Sequence, residues 1–334
     1  MVEPEAPTVQ LPIDSDLLNQ LREHHYAIVD DFLPPSFADQ LLDDATRLHS
    51  QNHFQQHYFQ FGGCLLKKPN VHELDLTDPK ILETLEMGYW KQVVSNVGPS
   101  FVRQIDKLDR QESQQQNSSA TISQLALQTQ LPPAVKLQLN TGGGSFPWHY
   151  DNPGPPNQRS LTCVVYLNPK WKHGDGGEIV LWPFLSQQIE IPPLHGRAVL
   201  FYSDRILHRV LPSNVHRVCF TMWCNGEKIN AKEDTLLSKD VLQFTSYDDA
   251  QSFFSRSPLQ RVISRAVYGK EYLESMLECL VAGGKRSSDI QCGNEGVSKE
   301  EEEKVVKQHV ASVLAIEGKL RPLIEEFRRR KDLV

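Results

Sequence analysis

The sequence is poor in the features that mark secreted, membrane-spanning and nucleic-acid-binding proteins. It has six cysteines in 334 residues, too few for a disulfide framework, and two of them, Cys163 and Cys219, stand in apolar runs typical of buried thiols. Lys and Arg number 35 against 42 Asp and Glu, a net charge of -7, which argues against general nucleic-acid binding. No hydrophobic run approaches the length of a membrane span. We therefore expect a cytoplasmic or nuclear protein with no nucleic-acid or membrane partner.

Local composition divides the chain into three parts. Residues 1–14 are acidic and Pro-rich, lack the apolar segment of a signal peptide, and predict a loose tail. Residues 15–224 form the main domain, with supporting helices over 15–60 and an exposed Gln/Ser-rich insertion over 105–130. Residues 225–334 lose the strand pattern and predict a helical C-terminal extension, whose surface is a candidate site for a partner.

The stretch 134–224 has the pattern of an antiparallel β domain. Seven or eight short runs that are apolar or alternate in polarity follow one another, separated by turn signals such as Asn168-Pro169 and Pro212-Ser213-Asn214. Short strands at this spacing predict a sandwich or barrel, of which a jelly roll is one example.

The run "SFPWHYDNP" contains a histidine and a carboxylate two residues apart, His149 and Asp151. In an extended strand these two side chains share a face and Tyr150 points the other way. They supply two of the three groups of the facial triad that holds non-haem Fe(II). A second pair, His173 and Asp175, lies in the glycine-rich "KHGDGGE" and predicts a hairpin turn instead.

The third metal ligand must be a histidine from a distant strand. His195 lies in a turn, and His216 begins the last strand, whereas His208 lies on a strand that returns through "PSN" to a strand carrying Arg217. An arginine in so apolar a strand is costly unless it is paired or exposed. A 2-oxoglutarate molecule that chelates iron through its keto-acid end would present its far carboxylate to such a guanidinium.

Three stretches carry a resemblance to a known family: "HYDNPGPPNQRSLTCVVYLNPKW", "GGEIVLWP" and "AVLFYSDRILHRVLPSNVHRVCFTMW". They resemble the Fe(II)/2-oxoglutarate-dependent oxygenases, in particular the prolyl 4-hydroxylase-like branch and, within it, the hypoxia-inducible-factor prolyl hydroxylases. With "HHYAIVDDFL" and "LHSQNHF" upstream, the likeness covers about residues 20–55 and 134–224.

The resemblance implies a mainly β fold, a distorted double-stranded β-helix (jelly roll) with supporting N-terminal helices. It implies that the metal-binding and catalytic residues are His149, Asp151 and His208. The implied 2-oxoglutarate-binding residues are Arg217, Tyr166 and Thr221, and the implied substrate-binding residues are Arg159, Trp223 and Phe146. The cofactors implied are Fe(II), 2-oxoglutarate and O₂, with ascorbate as a further candidate. At Phe146 and Leu139 this chain departs from tyrosines of the oxygen-sensing enzymes, which leaves the substrate open.

The resulting prediction is a dioxygenase that hydroxylates prolyl residues of a protein or peptide and releases succinate and CO₂. Three alternatives remain at this stage. The same cofactors could serve another side chain or a small molecule, or the jelly roll could be a non-catalytic binding protein. A nucleic-acid demethylase of the same superfamily is disfavoured, because the second arginine of those enzymes, six residues after the first, is Trp223 here.

Overall fold

The computed structural model describes residues 9–61, 64–84, 88–115, 125–226, 244–280 and 299–334. Their helices are α1 (Ser15–His24), α2 (Pro35–Ser50), α3 (Pro79–Thr84), α4 (Gly88–Gln92), α5 (Gly98–Gln115), α6 (Tyr247–Arg256), α7 (Gln260–Val267), α8 (Gly269–Cys279) and α9 (Lys299–Lys331), with a π-helical turn, Val93–Val97, between α4 and α5. Their strands are β1 (Tyr26–Val29), β2 (Gln55–Phe61), β3 (Cys64–Asp75), β4 (Ala134–Asn140), β5 (Gly144–His149), β6 (Arg159–Tyr166), β7 (Ile179–Trp182), β8 (Ile189–Ile191), β9 (Ala198–Tyr202), β10 (Leu207–Ser213) and β11 (Arg217–Asn225).

The strands form two antiparallel sheets, which confirms the predicted mainly β, jelly-roll class. The large sheet has seven strands in the order β1-β9-β6-β11-β4-β3-β2, and the small sheet has four in the order β5-β10-β7-β8. The chain passes repeatedly from one sheet to the other, and the two sheets face each other as in a sandwich.

Strand alternation divides the side chains of each sheet between two faces. In β11, Val218, Phe220 and Met222 belong to the core on the outer face of the large sheet, whereas Cys219 belongs to the core between the sheets. Arg217 is buried too, although it is charged, and by alternation it shares the inner face with Cys219. The inner face of the large sheet is therefore where polar groups can meet a ligand.

The N-terminal helices cover the outer face of the large sheet. In α1 the Asp14 side chain accepts a hydrogen bond from Leu17 N and caps the helix, and the buried stripe of Leu17, Leu18 and Leu21 packs into the core. Two boundaries differ from prediction. Leu11, placed in a loose tail, is buried in this core, and residues 55–61, placed among helices, form β2.

The predicted insertion over 105–130 is helical as far as Gln115. Ile105 is fully buried, and Asp109 is buried with its carboxylate accepting hydrogen bonds from Arg22 Nη2 and Leu125 N. These long-range partners hold a polar stretch against the domain, which composition alone does not reveal. Residues 116–124, the Ser-rich part of that prediction, lie outside the described residues.

The helices that follow the β domain cover the outer face of the small sheet. A single apolar cluster joins Trp148, Val180 and Trp182 of that sheet to residues of the helices, among them Phe254 of α6 and Phe327 of α9. The predicted helical character of the extension thus holds for the described residues from 244 onward. Within the described part of the chain, no helix has the length and apolar character needed to cross a bilayer.

Candidate active site

Three potential metal ligands meet at one end of the space between the sheets. His149, the last residue of β5, lies directly opposite His208 of β10 in the register, and Asp151 follows two residues later. One ligand atom from each lies within 4.8 Å of the others, and Asp151 Oδ1 is 3.6 Å from His149 Nε2 and 3.7 Å from His208 Nε2. Donors at about 2.2 Å from one ion would converge in this way.

Each of these ligands is held by neighbours that leave the metal-facing atom available. His149 Nδ1 lies 2.8 Å from the Pro147 carbonyl and His208 Nδ1 lies 3.2 Å from the Ile206 carbonyl, so both Nε2 atoms face Asp151. On Asp151, Oδ2 accepts hydrogen bonds from Thr162 Oγ1 at 2.8 Å and from Trp223 Nε1 at 3.0 Å. The remaining oxygen, Oδ1, faces the histidines. Such outer contacts are what orient metal ligands in proteins.

The protonation states suit a divalent cation. Burial alone would raise the pKa of Asp151, but the imidazoles of His208 and His149 and the indole of Trp223 outweigh it and hold that pKa well below its usual range. Burial, reinforced by His149, lowers the pKa of His208 to about 4. An ionised carboxylate and a neutral imidazole are the forms that bind metal.

Arg217 supplies a buried cation on the inner face of the large sheet. Only 1% of the residue is exposed; its Nε donates to the Gly177 carbonyl at 2.7 Å and its Nη1 to Cys219 Sγ at 3.2 Å. Among the described residues it forms no ion pair with a carboxylate. A buried guanidinium without a protein carboxylate is suited to an anionic ligand.

Gly177 is required beside Arg217 for both conformation and space. Its φ is +81°, and a Cβ there would lie 2.8 Å from Arg217 Cδ and 2.9 Å from Ser213 Oγ. The glycine-rich "KHGDGGE" therefore forms a turn and also leaves space for the Arg217 side chain. Asp175 accepts a hydrogen bond from Lys172 N, which confirms a tight turn here. The predicted hairpin is wrong, because the turn connects β6 of the large sheet to β7 of the small sheet and these two strands do not pair.

Tyr166 and Thr221, predicted with Arg217 to bind 2-oxoglutarate, differ in their placement. Thr221 lines the same cavity as Arg217. Tyr166 is fully buried, with its ring 5.0 Å from the Arg217 guanidinium carbon, and its hydroxyl has no hydrogen-bond partner in the described structure. Unlike Arg217 and Thr221, it is absent from the residues that line the cavity.

The three predicted substrate residues lie on the rim of the metal cluster. The Trp223 indole donates to Asp151 Oδ2. Sequence reasoning missed this ligand-holding contact, because strand alternation gives the face of Trp223 and not its partner 72 positions away. The Arg159 guanidinium stacks 4.1 Å above the Trp223 ring. Phe146 lies 6.1 Å from His149 in a stacked arrangement, with Lys68 Nζ 3.3 Å from its ring centre.

These groups share a cavity of about 620 Å³. Its wall includes the metal cluster, Arg217 and Thr221, and also Arg261, Met276 and Ile316 from the C-terminal helices. Those helical residues, like Lys68 and Thr162, were not predicted as part of the site. No local sequence signal connects a helix to a strand more than a hundred residues away.

The alternative third ligands lie elsewhere. His195 Nε2 is 3.2 Å from Asp39 of α2, and His216 is exposed beside a separate groove. Within the described ranges, the cluster of His149, Asp151 and His208 is the one group of three ligands that fits a metal ion.

Comparison with known proteins agrees with this geometry. A model of the 2OG-Fe(II) oxygenase superfamily matches residues 135–225. A solved prolyl 4-hydroxylase structure from Phytophthora capsici is similar over 96% of this chain and 93% of that chain, with 32% identity and a TM-score of 0.72. This chain belongs to the prolyl 4-hydroxylase-like 2-oxoglutarate dioxygenases.

Other members of this dioxygenase family match a smaller part of the chain. Egl nine homolog 1 of Rattus norvegicus is 26% identical over 208 residues, which are 61% of this chain and 56% of that protein; the chain thus spans about half the length of the curated relatives it matches. A Trichoplax adhaerens prolyl hydroxylase, solved with a hypoxia-inducible-factor peptide fragment, is 20% identical with a TM-score of 0.51 over 63% of this chain and 88% of that chain. This last likeness concerns the fold alone.

Proposed function

We propose that this protein is an Fe(II)- and 2-oxoglutarate-dependent dioxygenase that hydroxylates prolyl residues of a protein or peptide. The proposal rests on one observation: three converging metal ligands and a buried arginine that lacks a carboxylate partner within the described residues face the same cavity. A site for a metal alone would have no need of the arginine. 2-Oxoglutarate has a keto-acid end that can chelate the metal and a far carboxylate that can pair with the arginine.

In this proposal the metal is held by His149 Nε2, Asp151 Oδ1 and His208 Nε2. When bound there, iron supplies the activation of O₂, and the facial arrangement of three protein ligands leaves positions open for O₂ and co-substrate. The Pro147 and Ile206 carbonyls keep the imidazoles in one orientation. Thr162 and Trp223 hold Asp151 by its other oxygen.

Arg217 binds the far carboxylate of 2-oxoglutarate. The Gly177 carbonyl fixes Nε and Cys219 Sγ accepts from Nη1. Nη2 and the second N–H of Nη1 remain to donate to the ligand, and the Tyr166 hydroxyl is a further donor for the same carboxylate. Burial keeps water away from this charge pair and strengthens it. In the overall reaction 2-oxoglutarate and O₂ give succinate and CO₂, and the second oxygen atom enters a C–H bond of the substrate.

A prolyl peptide fits the rim of this cavity. The loop 152–159 follows the Asp151 ligand and contains three prolines, which stiffen it and remove backbone donors. Aromatic rings at Phe146 and Trp223 border the metal cluster and offer apolar surfaces for a pyrrolidine ring. Arg159 offers donors for the peptide backbone. Ascorbate would serve as the reductant that keeps the iron ferrous.

The test is to incubate the protein with Fe(II), 2-oxoglutarate and O₂ and a library of proline-containing peptides, and separately with free amino acids. Mass spectrometry should detect peptides that gain one oxygen on proline, with succinate formed in parallel. The variant His208→Ala should be inactive, whereas His216→Ala, which changes an exposed histidine outside the site, should keep full activity. Oxidation of free metabolites with every peptide untouched would favour the small-molecule alternative, and no succinate at all would contradict the dioxygenase assignment.

A further inference from the structure

The segment 145–152, which carries two of the three proposed metal ligands, contacts both the cavity and the C-terminal helices. His149 and Asp151 face the cavity. The alternate residues Trp148 and Tyr150 belong to the apolar cluster shared with the C-terminal helices. The residues that alternate with the ligands thus connect the segment to the helices, and Trp148 and Tyr150 also border the cavity.

The small sheet holds this segment loosely. β5 is an edge strand, paired with β10 alone in that sheet. The pairing has two register irregularities between its paired positions His208–His149, Val210–Phe146 and Ser213–Gly144. Edge position and bulges both weaken a ladder. By contrast, β11 pairs with β4 over seven consecutive positions without a shift.

Helices α7 and α8 supply the hydrogen bonds that the edge strand lacks. Ser275 Oγ of α8 accepts from Trp148 N at 3.1 Å, and Cys279 Sγ of α8 lies 3.1 Å from Ser145 Oγ. After β5, Arg261 Nη1 of α7 donates to Asn152 Oδ1 at 3.3 Å. The contacts fall on both sides of the ligand pair.

The central contact is made by Tyr150, the residue between the two ligands. Its hydroxyl donates to Gln260 Oε1 at 3.1 Å and lies 2.8 Å from Ser264 Oγ. The residue is 9% exposed, and Ser264 is fully buried. Gln260 is itself fixed, because its Nε2 donates to the Phe254 carbonyl at 3.1 Å. A buried hydroxyl with two partners defines one position for the backbone that carries it.

From these contacts we infer that the C-terminal helices position the metal ligands, and that the Tyr150 hydroxyl, through Gln260 and Ser264, is the principal positioning group. The inference rests on the proposed metal site. It assigns the extension a direct part in building that site, in addition to any partner that it binds. The residues concerned do not touch the metal; they fix the backbone from which His149 and Asp151 project.

The experiment compares Tyr150→Phe with Tyr268→Phe in the full-length chain. Tyr268 is a matched control: it follows α7, is fully buried, and its hydroxyl accepts a hydrogen bond from Leu185 N at 2.8 Å, in a loop that carries no proposed ligand. Each variant loses one buried hydroxyl, so each should lose a similar amount of thermal stability. Mn(II) affinity is measured by titration, and the ligand field by the visible absorption of the Co(II) form.

We expect Tyr150→Phe to weaken Mn(II) binding about tenfold, the lower end of what outer-shell substitutions cost, and to alter the Co(II) spectrum. Its KM for 2-oxoglutarate at saturating metal should stay unchanged, because Arg217 lies on the other sheet. Tyr268→Phe should leave the affinity and the spectrum as in the wild type. Ser264→Ala, which removes one partner only, should shift Mn(II) affinity in the same direction by a smaller factor.

Two results would overturn the inference while leaving the proposed function intact. One is a Tyr150→Phe variant that binds Mn(II) with wild-type affinity. The other is an equal loss of affinity in Tyr150→Phe and Tyr268→Phe, which would indicate general loosening of the helices. Wild-type protein that binds no Mn(II) or Co(II) at the three proposed ligands would overturn the proposed metal site itself, and the inference with it.

Discussion

The two sheets of this protein support the two ends of its candidate site in different ways. The large sheet carries Arg217 on β11, a strand that pairs with β4 without a register shift and whose outer face packs against apolar side chains. The small sheet carries His149 and His208 on two strands with irregular pairing. Its outer face is covered by helices that add side-chain hydrogen bonds to the apolar contact.

This difference indicates how each end tolerates change. Where a continuous ladder fixes the backbone, the position of a side chain depends little on what covers the far face of the sheet. Where the ladder is short and bulged, the covering layer takes part in setting the geometry. Substitutions in the layer that covers the large sheet should therefore change stability alone. Substitutions in the helices that cover the small sheet should change both stability and metal binding.

Replacing Arg217 should have the largest effect, and it should weaken 2-oxoglutarate binding without weakening metal binding. Arg217→Leu removes the cation proposed to bind the far carboxylate of 2-oxoglutarate, and loss of one partner of a buried pair costs about 3–5 kcal/mol, roughly two to three orders of magnitude in affinity. Metal affinity in the absence of 2-oxoglutarate should not change. Calorimetric titration with each ligand measures both. Arg197→Leu, at an ion pair with the exposed Asp30, is the control, and an equal loss there would refute the assignment.

Gly177→Ala should give a smaller loss at the same end. The added methyl group would press on Arg217 Cδ at 2.8 Å in a backbone with φ of +81°, so we expect 2-oxoglutarate affinity to fall about tenfold, the cost of about 1–2 kcal/mol of strain. Gly174→Ala is a close control, because Gly174 has a φ of +94° in the same turn and no atom within 4 Å of the place its Cβ would take. If both variants lose affinity equally, backbone strain rather than contact with Arg217 is the cause.

Shortening a buried side chain on the outer face of the large sheet should lower the stability of the protein without changing its affinity for metal or 2-oxoglutarate. Phe220 is fully buried on the outer face of β11 and meets the Trp90 ring edge-on at 5.3 Å. Phe220→Leu should lower the free energy of unfolding by about 1–2 kcal/mol, as measured by urea denaturation. Mn(II) and 2-oxoglutarate affinities should remain within about twofold of the wild type, the scatter expected of a site that is not coupled to the change. A loss of either affinity as large as that expected for Gly177→Ala would erase the contrast between the two sheets.

The smallest expected effect is a pH dependence of the free energy of unfolding that arises from His25, the residue after α1. Burial, with a contribution from the Arg205 cation, lowers the pKa of His25 to about 4. The folded protein then keeps this imidazole neutral while the unfolded chain takes up a proton near about pH 6.5. Above about pH 6.5 the imidazole is neutral in both states and costs no stability. As the pH drops from about 6.5 toward about 4, only the unfolded chain binds the proton, so the free energy of unfolding should fall.

The variant His25→Asn removes this titration and suits the left-handed backbone at this residue, where φ is 65°. Its free energy of unfolding should depend less steeply on pH between about 4 and 6.5 than that of the wild type, by less than about one proton in slope. Parallel curves for the two proteins would contradict the proposed neutral state of His25.

Short-range periodicity was enough to predict much of the site. The period of two in a strand put His149 with Asp151 and Arg217 with Cys219 and Thr221, and the structure places each set on one face. The same rule puts Trp223 on the face of Arg217, but it does not indicate that Trp223 contacts Asp151. The jelly-roll class followed from strand spacing and from the family resemblance.

What the sequence did not predict depends on contacts between distant residues. Tyr150 meets Gln260 across 110 positions, and no local pattern marks either residue as a partner of the other. Asp109 lies in a Gln/Ser-rich stretch whose composition predicts exposure, yet Arg22 and Leu125 bury its carboxylate. Tertiary contacts overrode composition there, as they override propensity elsewhere.

The most direct test of the account is an anaerobic titration of the protein with Fe(II) and then 2-oxoglutarate, followed by visible absorption. A 2-oxo acid chelated to ferrous iron gives a charge-transfer band, so the wild type should develop one that saturates at one iron and one 2-oxoglutarate per chain. The band should be absent in Asp151→Ala and His208→Ala and retained in His216→Ala. No band in the wild type, or an undiminished band in Asp151→Ala, would contradict the proposal that these residues and Arg217 form one iron and 2-oxoglutarate site.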